Sequence, residues 1–157
     1  MNNKMMKELI KAANEGDVEA QNSLGWIYRS GDGVEKDLEK AIFWYSEAAK
    51  QGDENTQFTL GYIYKSGNGV EQDLEKALHW FSEAAKQGNH RAQFNLGCMY
   101  YSGQGVEPDF EKALYWFSEA AKQGNVNAKE ACERILICRH SKGCSVLKAP
   151  SYLPLTL

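Results

Sequence analysis

No stretch of this chain approaches the roughly 20 consecutive apolar residues that a bilayer-spanning helix needs, so the sequence predicts no membrane segment. Residues 1–11 alternate charged and apolar side chains. They lack the apolar block and the small-residue cleavage site of a secretory signal. A cytoplasmic location is the expectation, with export by a route that needs no such signal left open. A basic stripe is missing as well. The 18 Lys and Arg are outnumbered by 21 Asp and Glu, for a net charge of −3, so no nucleic-acid partner is expected. Cysteine is sparse, with Cys98, Cys132, Cys138 and Cys144 as the whole complement, three of them towards the C-terminus. A disulfide framework spreads paired cysteines along the chain, so this distribution favours reduced thiols.

What the chain does hold is a repeat. Trp44, Trp80 and Trp116 recur at an interval of about 36 residues. Gly25, Gly61 and Gly97 recur with them, as do Tyr28, Tyr64 and Tyr100. Three full units follow, residues 20–55, 56–91 and 92–127. Each carries Leu-Gly-x-x-Tyr, then Ser-Gly-x-Gly-Val-Glu, then Glu-Lys-Ala, then Trp-x-Ser-Glu-Ala-Ala-Lys-Gln-Gly.

Each unit reads as two helices, A and B. In the first helix A, Ala20, Leu24 and Tyr28 share one face at a spacing of four. Glycine inside a helix costs about 1 kcal/mol relative to alanine. Gly25, Gly61 and Gly97 therefore imply that another helix passes too close for a Cβ. Gly31 can adopt the left-handed conformation that closes a helix. Asp37, Asp73 and Asp109 are placed to cap helices B, and Asp53, Asn89 and Asn125 to cap the next helices A. Helix B buries Ala41, Trp44, Tyr45 and Ala48. Trp44, Trp80 and Trp116 are expected in the core of every unit.

Half-units flank the array. Residues 5–19 match the second half of a unit, because Ala12-Ala13-Asn14-Glu15-Gly16 aligns with Ala48-Ala49-Lys50-Gln51-Gly52. Residues 128–139 align with a helix A, with Cys132 in the Leu24 slot. These end helices are expected to act as caps. The prediction is an all-α solenoid of antiparallel helix pairs, coiled as a right-handed superhelix over residues 1–140.

These motifs resemble the Sel-one-like repeat (SLR) family, a branch of the tetratricopeptide-repeat-like α-solenoids. Its pattern is carried here by Ala20, Leu24, Gly25, Tyr28, Gly31, Gly33, Val34, Asp37, Ala41, Trp44, Ala48, Ala49 and Gly52, and again in the next two units. Thr56 replaces the first alanine of the second unit and is expected to matter little. The resemblance implies a curved scaffold that binds proteins, often in bacterial signalling, envelope or host-interaction pathways. Some secreted relatives with a cysteine pair in each repeat are linked to β-lactam binding. This chain lacks those pairs, so that activity does not carry over.

The variable positions are where a partner would bind. On helix A, the positions roughly 160° from Leu24 are Asn22 and Trp26, with Arg29 nearby. By analogy with tetratricopeptide repeats, this face lines a concave groove. Its expected occupants are Asn22, Trp26 and Arg29, then Phe58, Tyr62 and Lys65, then Phe94, Cys98 and Tyr101. Aromatics facing away from a core suit anchors for a peptide or protein, and Arg29 and Lys65 suit acidic groups on it. For Phe58 and Phe94, packing between neighbouring helices A stands as an equal alternative.

Other signals carry less. Cys132, Cys138, His140 and Cys144 match no common zinc spacing, so no metal is expected. The Gly-x-Gly pairs lack the strand a nucleotide loop needs, so no cofactor is expected. No nucleophile, base and orienting group assemble into a set, so no catalytic residue is proposed. Glu39 with Lys40, and their counterparts at Glu75/Lys76 and Glu111/Lys112, are expected as solvated surface. Residues 141–157 form an irregular apolar tail, since Gly143, Pro150 and Pro154 forbid a long helix. The tail could pack on the last helices or drive self-association. The leading expectation is thus an interaction scaffold. The alternatives are a self-associating regulatory or assembly subunit, and a hydrolase of the cysteine-rich type.

Overall fold

The computed structural model describes residues 3–140. The tail at 141–157, with Cys144 and the expected self-association, lies outside the described residues. Every described element is an α-helix, and no strand occurs among the described residues. The chain divides into two compact units, one ending at Asn89 and the other beginning at His90. The first holds α1 (Asn3–Asn14), α2 (Val18–Ser30), α3 (Leu38–Lys50), α4 (Glu54–Ser66) and α5 (Leu74–Lys86). The second holds α6 (His90–Ser102), α7 (Phe110–Lys122) and α8 (Val126–His140). α2, α4 and α6 are helices A, while α3, α5 and α7 are helices B. Within each unit, every helix packs on the next along the chain.

Local chemistry sets the boundaries. The side chains of Asp37, Asp53, Asp73 and Asp109 accept the backbone N–H three residues on, as N-caps do. Asp17 does the same for α2 and Asn125 for α8. Gly31 closes α2 with φ of 78°, where a side chain would be strained. The turn into α3 is then pinned by the Asp37 N–H, which donates to the Tyr28 carbonyl at 2.8 Å, and the same bond recurs from Asp73 to Tyr64 and from Asp109 to Tyr100.

The glycines inside helices A mark close approach by an aromatic ring. A Cβ at Gly25 would stand 2.5 Å from a Tyr45 ring carbon, one at Gly61 2.6 Å from Phe81, and one at Gly97 2.7 Å from Phe117. These distances are far below van der Waals contact, so glycine is required wherever this ring lies flat on the helix. The same rings correct the expectation for the tryptophans. Trp44 is buried beside Ala13, Ala20 and Leu24, but Trp80 and Trp116 are only half-buried. The residue after each tryptophan goes deeper: Phe81 and Phe117 are fully enclosed. Bulk decides this, because the ring against glycine has the helix backbone as its wall.

A buried glutamine series also went unread in the sequence. Gln21 and Gln57 donate to the carbonyls of Ala13 and Ala49, both at 3.0 Å, so each helix A is tied to the end of the preceding helix B. Their side-chain carbonyls accept from Gln51 and Gln87 at 2.9 and 2.7 Å, and Gln93 accepts from Gln123 at 2.9 Å in the second unit. Buried amides hold the helices in register because leaving one unsatisfied is costly.

Candidate functional site

On α2 the outward face carries Asn22, Trp26 and Arg29. Trp26 is 55% exposed, a large apolar surface for a side chain anchored on a packed helix. Arg29 is half-buried, and its guanidinium acts on the Tyr45 hydroxyl. Burial pushes the Tyr45 pKa up, and the guanidinium partly offsets that. Asn22 plays a structural part. Its amide donates to the Asp53 carboxylate at 3.2 Å, and its carbonyl oxygen is in hydrogen-bond contact with the Thr56 hydroxyl. That hydroxyl also contacts the Asp53 carboxylate. Thr56 is therefore not an incidental replacement for alanine. It is buried, and with Asn22 and Asp53 it fastens α2 to the start of α4.

α4 presents Phe58, Tyr62 and Lys65, all half-buried. Phe58 sits 5.8 Å from the Phe81 ring in a tilted arrangement, so it backs the core ring of its own unit. In the second unit, Phe94 repeats this against Phe117 at 5.6 Å. Tyr101 meets Phe110 edge-on at 5.4 Å. Cys98 departs from the expected outward face. It is 7% exposed and belongs to the core cluster with Phe117, Ala128 and Ile135. Its small thiol is enclosed by neighbours that a bulkier side chain would hold off.

Lys40, Lys76 and Lys112 do more than face solvent. Each ammonium pairs with the preceding cap aspartate, at 2.8, 3.0 and 3.3 Å. Each also lies over a tyrosine ring, Tyr28, Tyr64 and Tyr100, at 5.4, 5.2 and 5.2 Å from the centroid. The Lys40 side chain hydrogen bond holds the Asp37 carboxyl below its usual range. For Asp73 and Asp109, the backbone N–H bonds from Lys76 and Lys112 lead. Lys40 and Lys76 are raised in return, chiefly by those same aspartates. The repeat of Tyr, Asp and Lys at fixed offsets was visible in the sequence. Its three-way contact needed the turn geometry.

Two aromatics on helices B are exposed. Phe43 and Tyr115 project from helices B with their rings edge-on to Trp44 and Trp116, at 5.0 and 4.9 Å. His79 takes the same slot against Trp80 at 4.9 Å. Among the described residues, no group of His, Cys, Asp and Glu is arranged to hold a metal. Among the described residues, Cys98, Cys132 and Cys138 form no disulfide with one another.

A model of the Sel1 repeat matches residues 18–53, 56–89 and 90–125. This chain belongs to the Sel1 repeat family. Its repeats, counted from the helix start, begin about two residues before the register drawn from the alanines. Among solved structures, a Sel1 repeat protein from Oxalobacter formigenes is 37% identical with a TM-score of 0.75, over 83% of this chain and 98% of that one. A protective antigen of uropathogenic Escherichia coli that displays an SLR fold is 33% identical with a TM-score of 0.74. That match spans 87% of this chain but 29% of the longer antigen. Cysteine-rich protein B of Helicobacter pylori is 26% identical with a TM-score of 0.60, over 80% of this chain and 96% of that one. Against curated proteins the sequence has no significant match. Sel1 repeat proteins generally serve as protein-interaction scaffolds and are typically not catalysts.

Proposed function

We propose that this Sel1 repeat chain binds a peptide or protein segment on the outward face of α2 and α4, with Trp26 as the main anchor. The observation that carries this reading is the exposure of Trp26. An indole this open contributes little to folding, yet it offers the large, rigid contact area on which binding hot spots are built. Tyr62 holds the same slot on α4. Arg29 and Lys65 follow three residues after these aromatics and add positive charge, so the favoured ligand carries acidic groups beside an apolar anchor. In the second unit, Phe94 and Tyr101 lie on the corresponding face of α6, while the burial of Cys98 leaves that slot without an anchor.

Selection from a displayed random-peptide library tests this. The parent chain should enrich acidic peptides with a common apolar position. The Trp26→Ala variant should lose that enrichment and keep its helical circular dichroism. Enrichment of the same peptides by Trp26→Ala overturns the proposal, as does their loss by a Phe43→Ala control in its place.

A further inference from the structure

The Ser-Gly-x-Gly-Val-Glu turn between helix A and helix B holds a different central residue in each repeat: Asp32, Asn68 and Gln104. Only at Asn68 does the sequence place an asparagine before a glycine. Asparagine is a thermolabile residue. Its lability is greatest before glycine, because a following residue without a side chain lets its backbone nitrogen swing onto the asparagine side-chain carbonyl. The longer Gln104 side chain would close a larger, slower-forming ring. The Asp32 carboxylate is a poorer electrophile than an amide.

The fold leaves the reacting groups open. Asn68 and Gly69 are both exposed. The Asn68 backbone N–H donates to the Ser66 hydroxyl at 3.4 Å. Neither the Asn68 side-chain amide nor the Gly69 N–H has a hydrogen-bond partner among the described residues. Asn22 and Asn95 differ, since each sits inside a helix whose ladder takes up the next N–H. The turn around Asn68 is also fixed at both ends. The Gln72 side-chain amide donates to the Lys65 carbonyl at 2.7 Å, and the Asp73 N–H to the Tyr64 carbonyl at 3.0 Å. Between these ties, Gly69 lies against the first residue of α3: a Cβ there would fall 2.0 Å from the Leu38 side chain.

We propose that Asn68 is a site of spontaneous deamidation in the folded protein, passing through a succinimide and ending chiefly as isoaspartate. The Gly69 nitrogen bonds to Cγ of Asn68. The Cγ–Nδ2 bond breaks, and the amide leaves as ammonia, carrying the Gly69 proton. Water then opens the ring at one of its two carbonyls. Opening on the side-chain side gives aspartate. Opening on the main-chain side gives isoaspartate, whose backbone runs through Cβ and Cγ. Water enters and ammonia leaves, with no oxidant or reductant needed. A neutral amide becomes a negative charge, as Asp32 already is in the first repeat. The extra main-chain carbon has to be taken up between Lys65 and Gln72, so the turn lifts from Leu38.

Incubation of the full chain in mildly alkaline buffer, followed by tryptic mapping, tests the proposal. A sample in urea sets the rate of the unrestrained chain. The peptide spanning 66–76 should gain the mass of an amide-to-acid exchange in the folded sample. Its rate should lie within about tenfold of that in urea, because an exposed turn opens at little cost. The product should split into two isomers, the larger of them resisting a protease that cuts before aspartate at residue 68. Asn22 and Asn95 should stay intact while the chain is folded. Amide hydrogen exchange over residues 70–77 should then quicken in the incubated parent. It should not quicken in Asn68→Gln incubated alongside, nor in Asn68→Asp, which adds the charge without the extra carbon. Retention of Asn68 in the folded sample overturns the proposal, and the urea sample then shows whether fold or sequence protects it. A product that is aspartate alone overturns it too. Isoaspartate formed with no change in exchange overturns the lifting of the turn.

Discussion

α2 and α6 hold the same place in the repeat, yet one shared slot meets opposite surroundings. In α2 it is Trp26, more than half exposed, and in α6 it is Cys98, enclosed in the core beside Phe117 and Ile135. The backbone pattern around the two is alike, with Leu and Gly just before and a tyrosine two residues after each. Repeat position therefore fixes which way a side chain starts out, while its volume and its neighbours decide whether it ends in water. A face drawn by analogy from one repeat to the next holds only where side-chain size is also conserved along the array.

The strongest way to break this comparison is through the rings behind the slot. Phe117→Ala should cost about 3–5 kcal/mol, read as a fall in the urea midpoint, since the ring is fully enclosed. Trp116→Ala should cost less, because Trp116 is half-buried. Equal losses would restore tryptophan as the central core residue. Exchanging the slot residues is the next step down. Cys98→Trp should destabilise by about 1–3 kcal/mol through overpacking. The reverse change, Trp26→Cys, should stay within about 0.5 kcal/mol. If the two substitutions cost the same in thermal unfolding, the contrast between α2 and α6 is void.

A smaller effect is expected at Asn22. Replacing it with alanine removes its bonds to Asp53 and Thr56 and should cost about 1 kcal/mol in chemical denaturation. Phe94→Ala should instead act through its packing on Phe117, so coupling to Phe117→Ala in a double-mutant cycle separates core support from surface.

The smallest effect concerns pH and applies to both regions. Folding lowers the Asp37, Asp73 and Asp109 pKa values from the ordinary 3.8. The unfolded chain then binds more protons in the acid range, so stability is fully present above 3.8 and drains away as pH falls through the lower folded values. The raised Lys40 and Lys76 act at the other end, with stability present below 10.5 and lost as pH rises through the folded values. These are exposed pairs, so the slope should be shallow. The triple variant Asp37→Asn, Asp73→Asn, Asp109→Asn keeps capping groups and should flatten the acid limb of a denaturation midpoint plotted against pH.

Much of the fold was legible because its causes are local or periodic. The cap aspartates, Gly31 and the apolar spacing set helix ends within a few residues. The glycines announced a close approach before any ring could be placed. The candidate site was less legible. Thr56 looked like a neutral exchange for alanine, and only the proximity of Asn22 and Asp53 gave its hydroxyl a purpose. Phe58 and Phe94 could be assigned to either surface or core until Phe81 and Phe117 were seen beneath them. The glutamine series repeats as regularly as the glycines, but a wheel drawn on one helix cannot show that an amide reaches the backbone of another.

By itself, then, the sequence determined that this chain is built of paired helices, about where each one starts and stops, and that a neighbour must pass too close to Gly25, Gly61 and Gly97 for a Cβ. Those outcomes rest on backbone conformation and on steric limits within a few residues. The tertiary structure alone decided which aromatic fills the core, that Cys98 is enclosed and Trp26 is not, and that Thr56 secures a junction. Such outcomes depend on distances between helices, which side-chain volumes set jointly and no single segment encodes.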